Sequence, residues 1–173
     1  FDFYSAKDNE VFHLSDIKIT ALHTPGHTLE STCYLLTAEN NLDYCLFSGD
    51  TLFIGDVGRP DLAVKSHLSQ SDLAKLLYKS IHNKIYPLRD ETIIYPAHGA
   101  GSVCGKNMSK ETFDSLGNQK KINYALNHQL TEHEFVKEVT SGLTSPPSYF
   151  MENVKMNQSV NKSYDEIIKS GLS

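Results

Sequence analysis

Through the first hundred residues the apolar positions come in short runs separated by turn residues; beyond them they come at helical spacing. Residues 11–14 and 17–22 read as two strands around a turn at Ser15-Asp16, and residues 33–37 and 44–47 as a second pair joined through Glu39-Asn40-Asn41. Residues 51–65, with Gly55, Gly58 and Pro60, read as an irregular loop, and residues 92–95 as a further strand that leads into a Gly-rich loop.

The first helix starts at Ser69, where Asp72 stands three residues on in capping-box position, and its apolar stripe is Leu73, Leu76, Leu77 and Ile81. From Ser109 onward the pattern is helical. Thr131 with Glu134 forms a second capping box ahead of Phe135, Val136 and Val139, and Gly142 with Pro146-Pro147 ends that helix. Ser163 with Glu166 opens a last short helix that stops near Gly171. Strands followed by helices make an α/β (α+β) chain, divided here into residues 1–127 and a helical extension, residues 128–173.

A length of 173 residues suits one domain with a real core. No run approaches the roughly 18 apolar residues a membrane span needs. The balance of 16 basic against 21 acidic residues, net −5, offers no basic face for phosphate, so no nucleic-acid partner is expected. Cys33, Cys45 and Cys104 lack the spacing of a zinc ribbon or a redox pair, which favours a reducing, cytoplasmic setting. The opening Phe1-Asp2-Phe3-Tyr4 reads as interior sequence, so a fragment of a longer protein is expected.

Candidate chemistry sits where three strands stop. The run 17–22 ends at His23-Thr24-Pro25-Gly26-His27-Thr28, the run 44–47 at Ser48-Gly49-Asp50, and the run 92–95 at Pro96-Ala97-His98-Gly99. Each turn presents one residue of metal-ligand type, and His with Asp suits zinc or iron(II). Glycines beside such residues permit tight turns and close backbone approach.

These three motifs, with Phe47-Ser48-Gly49-Asp50-Thr51-Leu52-Phe53 taken whole, resemble the later motifs of the metallo-β-lactamase superfamily. The resemblance implies the C-terminal portion of an αββα sandwich followed by a helical tail, with the metal site along one edge of its sheets. It implies metal ligation by His27 and Asp50, and either ligation or a supporting hydrogen-bond role for His98. His23 is expected to be structural. The family's earlier His-x-His-x-Asp-His cluster has no counterpart here, since no two histidines stand two apart. The chain alone is therefore expected to be inactive.

Gly55-Asp56-Val57-Gly58-Arg59-Pro60-Asp61-Leu62 resembles the loop of persulfide dioxygenases, which implies that Arg59 helps hold glutathione. The segment from Tyr95 to Met108 and the helical tail are similar to bacterial members fused to a rhodanese domain. The implied reaction is oxidation of glutathione persulfide, or another thiol persulfide, to sulfite with O₂. One Fe(2+) is the implied cofactor, Zn(2+) the alternative, with His98 and Asp50 as the catalytic groups. Cys104, on the loop after His98, is a candidate contact for persulfide sulfur. The alternative is a glyoxalase II-like hydroxyacylglutathione thioesterase with a dinuclear site, where a shared hydroxide is activated. β-Lactam hydrolysis stands third, and the RNA-processing branch is disfavoured by the acidic balance. A non-catalytic reading is an inactive structural or docking piece beside a rhodanese domain.

The remaining histidines, His13, His67, His82, His128 and His133, lack partners at ligand spacing and are read as exposed or capping. Asp56 and Asp61 are read as loop acids or salt partners of Arg59, and Tyr149-Phe150 as packing of the tail. An incomplete sandwich exposes sheet edges and an apolar face, so self-pairing into a homo-oligomer is also expected.

Overall fold

A computed structural model describes residues 4–38, 40–62 and 68–143, together with Asn153, Lys155 and Met156. The sequence expectations at His67, Pro146-Pro147, Tyr149-Phe150 and the helix after Ser163 lie outside the described residues. The chain forms two compact units, Phe1–Leu143 and Thr144–Ser173; in the second, Asn153, Lys155 and Met156 have helical backbone.

The first unit is built on one six-stranded sheet whose spatial order follows the chain: β1 (Val11–Leu14), β2 (Ile17–His23), β3 (Thr32–Thr37), β4 (Asp43–Gly49), β5 (Ile93–Pro96) and β6 (Asp114–Ser115). Neighbours pair antiparallel except β4 and β5, which are parallel. Parallel neighbours need a crossover, and α1 (Gln70–Ser80) supplies it, prolonged by a π turn at Ile81–Ile85. Both expected capping boxes form: Ser69 with Asp72 starts α1, and Thr131 with Glu134 starts α3 (Glu132–Thr140).

Alternation along the strands sorts side chains to two faces. One face carries Leu22, Cys33, Leu35, Leu46 and Ile94, all buried against Leu73, Ala74 and Leu77 of α1, Ile81, Ile85, and Phe135 and Val139 of α3. The other face is largely apolar and open. Phe12, Tyr34, Phe47 and Tyr95 are each more than a third exposed, and Phe47 stacks on Tyr95 at 5.8 Å.

Two expectations need correction. The stretch after Ser109 is not helical from its start: Asp114–Ser115 first pairs with β5, and only then do α2 (Leu116–Ile122) and a 3₁₀ turn at Tyr124–Leu126 follow. His82 is not a surface histidine either. It lies half-buried with its ring 4.2 Å from that of Tyr78, and burial lowers its pKa. Tertiary packing of the π turn, invisible to spacing rules, decides its environment. His13, His128 and His133 are exposed as expected.

Helix α1 also fixes the turn that follows β2. Ser80 Oγ donates to the Pro25 carbonyl at 2.8 Å, and Gly26 lies flat against the helix with φ +152°. A Cβ at Gly26 would come within 2.4 Å of Leu77 Cβ. Gly26→Ala is therefore expected to cost about 3 kcal/mol, the upper end of ordinary overpacking, seen as a lower urea midpoint with unchanged slope.

Candidate metal centre

The turn after β2 is tied internally by Thr24 N–H to the Ser31 carbonyl at 2.8 Å and Gly26 N–H to the Thr28 carbonyl at 2.9 Å. His27 emerges from it only 8% exposed. Its Nδ1–H donates to the Arg59 carbonyl at 2.9 Å, which leaves Nε2 as the free lone pair and points it 3.5 Å from Asp50 Oδ2. His23, the last residue of β2, spends its Nε2–H on the Leu29 carbonyl at 2.7 Å and serves the loop.

Asp50 and His98 meet because β4 and β5 run parallel and end together. Gly49 pairs with Pro96 in the ladder, and Ala97 N–H donates to the Gly49 carbonyl at 3.0 Å. His98 Nδ1–H then donates to Asp50 Oδ1 at 2.6 Å. The Asp50 carboxylate thus gives one oxygen to each histidine. Beneath it runs a buried polar seam: Thr24 Oγ1 shares hydrogen bonds with Thr51 Oγ1 at 2.9 Å and Cys33 Sγ at 3.3 Å, and Cys33 Sγ–H donates to the Ser48 carbonyl at 3.4 Å. That seam locks the first turn to the second.

Gly58 closes the other side. A side chain there would meet the Asp50 carbonyl at 1.9 Å and the His27 ring carbon Cγ at 3.0 Å, so only bare backbone fits between the two ligand-type residues. Next to it Arg59 is 3% exposed. Its fork closes on Asp61, with Nε to Oδ1 at 2.7 Å and Nη2 to Oδ2 at 2.6 Å, while Nη1 donates to the Val103 carbonyl at 3.4 Å. A substrate carboxylate would have to compete with Asp61 for this fork. What Arg59 does here is shape the loop after His98, since its backbone N–H also donates to the Cys104 carbonyl at 2.9 Å.

Cys104 is half-buried on that loop, and one donor atom from each of His27, Asp50 and Cys104 lies within 4.8 Å of the others. Burial pushes the Cys104 thiol pKa up and the Asp50 charge adds to this, against the Ser102 hydroxyl and Arg59. A metal of the kind the motifs imply fits these residues. An imidazole held by the Arg59 carbonyl, a carboxylate and a thiol converge to within 4.8 Å of one another.

Sequence reasoning missed the groups that hold the loops. Asp56 is 1% exposed and accepts from the N–H of Val57 at 2.8 Å, Lys106 at 2.5 Å and Asn107 at 2.7 Å, and from Tyr124 Oη at 3.2 Å. Asn123 of the segment after α2 donates to the Phe53 and Asp56 carbonyls at 3.2 and 3.0 Å, and Gln119 accepts from Gly55 N–H at 2.8 Å. A signal existed: an acid standing in the apolar stretch Leu52-Phe53-Ile54-Gly55-Asp56-Val57 is a buried carboxylate in need of donors.

A mixed sheet with helices on one face, and with turns that bear His27, Asp50 and His98 gathered at one edge, is the architecture to which the known relatives can be compared. The solved metallo-β-lactamase from Staphylococcus aureus subsp. aureus COL superposes on 92% of this chain and 45% of its own, with TM-score 0.80 and 37% identity. The chain belongs to the metallo-β-lactamase superfamily. A probable hydroxyacylglutathione hydrolase of Schizosaccharomyces pombe is 30% identical over 132 residues, 76% of this chain and 47% of the relative. ETHE1 from Myxococcus xanthus shares the fold, with TM-score 0.66 at 23% identity over 88% of this chain and 58% of that one. No family model matches the chain. The chain spans about half the length of the curated relatives it matches, or somewhat less. Among the described residues no helix is long and apolar enough to cross a membrane.

Asp56→Asn replaces a buried anion that collects four donors with a neutral amide, and the loop after His98 loses its tether. The expected cost is about 3 kcal/mol, the scale of a hydrogen bond to a charged group. Urea denaturation measures it, and limited proteolysis should show new cleavage within residues 99–108.

Proposed function

We propose that the chain carries the metal-holding turns of an enzyme that oxidises a glutathione-borne persulfide to sulfite with O₂. The observation that carries this reading is the Asp50 carboxylate, set between His27 and His98 with one oxygen toward each. His27 and Asp50 would hold the metal. When bound, Fe(2+) supplies open positions for O₂ and a sulfur ligand, whereas Zn(2+) supplies a Lewis acid for hydrolysis.

The protein's own groups do the rest. The Arg59 carbonyl keeps His27 in the tautomer that offers Nε2. Asp50 fixes the His98 ring through Nδ1, so that Nε2 of this exposed imidazole faces outward and can hydrogen-bond a substrate atom or move a proton to it. Phe53 lies 6.2 Å from the His98 ring and limits water on that side. The loop Gly58-Arg59-Pro60-Asp61 supports the dioxygenase by its resemblance to that group.

A second reading is favoured by a specific observation. A carboxylate that reaches two histidines with separate oxygens suits a dinuclear hydrolytic site, and hydroxyacylglutathione hydrolases are among the relatives. There Asp50 would be shared between two metals and His98 would ligate through Nε2.

The two separate experimentally. The longer gene product that the sequence leads us to expect, extended upstream of Phe1 and purified without oxygen, is loaded with Fe(2+) or Zn(2+) and given glutathione persulfide or an acyl-glutathione thioester. Persulfide-dependent O₂ uptake, cut at least about 100-fold in His27→Ala and Asp50→Ala on the scale of lost catalytic groups, is the expected outcome. Thioester cleavage without O₂ uptake moves the assignment to the hydrolase. Neither activity leaves the non-catalytic reading.

A further inference from the structure

We propose that Cys104 is itself a metal ligand, so that His27 Nε2, the Asp50 carboxylate and Cys104 Sγ form a nitrogen–oxygen–sulfur site within this chain. The inference rests on the metal-site reading above, but not on which reaction the metal serves.

Three observations meet at this sulfur. First, its distance is right: the three donor atoms lie within 4.8 Å of one another, and His27 Nε2 and Asp50 Oδ2 are already at 3.5 Å, about the separation of two ligands on one ion. Second, the sulfur is held rather than stranded on a free loop. The Cys104 carbonyl accepts from Arg59 N–H, its N–H donates to Ser102 Oγ at 3.2 Å, and two residues on the Asp56 carboxylate grips the N–H groups of Lys106 and Asn107. Gly105 between them is closely packed, with Asp56 Oδ2 and Met108 Cγ each 3.0 Å from where a Cβ would stand. Third, the ligand-type residues are oriented before any ion arrives, since Arg59 spends its carbonyl on His27 and its amide on Cys104. One residue therefore sets the relative position of two donors.

The electrostatics agree. A thiolate beside Asp50 is repelled, and a divalent ion between them converts that repulsion into attraction. On binding, the S–H bond breaks, the metal–sulfur bond forms, and the proton leaves to solvent. Sulfur changes which ions the site takes: a thiolate with imidazole and carboxylate selects Zn(2+), Co(2+), Cd(2+) or Fe(2+) over Mg(2+) and Ca(2+). Cys104 then has a different duty from the substrate contact its loop position suggests.

Cobalt reads this directly. Titration of the chain with Co(2+) is expected to give both visible d–d bands and a near-ultraviolet thiolate-to-cobalt charge-transfer band. Cys104→Ser is expected to abolish the charge-transfer band and weaken Co(2+) and Zn(2+) binding by about 100-fold, the upper end of effects on ligand-supporting groups. Cys45→Ser is expected to leave the band in place. In the unmutated chain, Zn(2+) should slow alkylation of Cys104 by at least about tenfold, a readout independent of how the variants fold. Cobalt bound without the charge-transfer band, a band that survives in Cys104→Ser, no cobalt uptake, or alkylation unaffected by zinc would each overturn the proposal. Failure of both O₂ uptake and thioester hydrolysis would leave it standing, and loss of the sulfur band alone would leave either reaction standing.

Discussion

Burying one negative charge organises everything around the candidate site. The Asp56 carboxylate is enclosed where an unpaired ion would be prohibitively costly, so the chain must bring donors to it. They come from three places: the adjacent Val57, the loop carrying Lys106 and Asn107, and Tyr124 after α2. Burial and the Asp56 charge raise the Tyr124 pKa far above the ordinary tyrosine range, so its hydroxyl stays a donor. Segments far apart in sequence are thereby pinned to the loop that follows Asp50. Arg59, two residues past Val57, then passes that order on to His27 and Cys104.

The sheet supplies the other half of the geometry. Antiparallel strands send consecutive turns to opposite ends, so β2 and β4 both end at the edge where their turns carry His27 and Asp50. The parallel β4–β5 pair brings Pro96-Ala97-His98 to the same edge. The cost of that parallel pairing is a long connection, and the chain uses it well: residues 51–62 wall the site and α1 covers the core face. The helix in turn fixes the turn that bears His27 through Ser80 and Leu77. Core packing and ligand placement are therefore one problem here, solved by the same contacts.

Much of this was legible in the sequence. Strand alternation, two capping boxes and the turn residues after each strand located β1 to β5, the starts of α1 and α3, and the turns that bear His27, Asp50 and His98. What local pattern could not show was which polar groups would be buried. Asp56 reads as one loop acid among several until its three-dimensional donors are known, and nothing in the local pattern marks Gln119 and Asn123 as buried. The salt pairing of Asp61 with Arg59, open in the sequence as one of two readings of that acid, forms with both carboxylate oxygens on the guanidinium fork. The two-residue strand β6 has no periodicity to detect and exists only because β5 offers it a partner. His82 shows the same limit in part: Tyr78 and Tyr86 flank it at i−4 and i+4, but the ring that closes over it from α3, Phe135, is distant in sequence.

The open face of the sheet, with Phe12, Tyr34, Phe47 and Tyr95 in water, has a thermodynamic consequence. Whatever associates with those rings, another copy included, binds the folded form and not the unfolded one, and so draws the folding equilibrium toward itself by mass action. Where the associate is another copy, melting temperature, denaturation midpoint and apparent metal affinity cease to be properties of a single molecule. Each becomes a function of how much protein is in the tube.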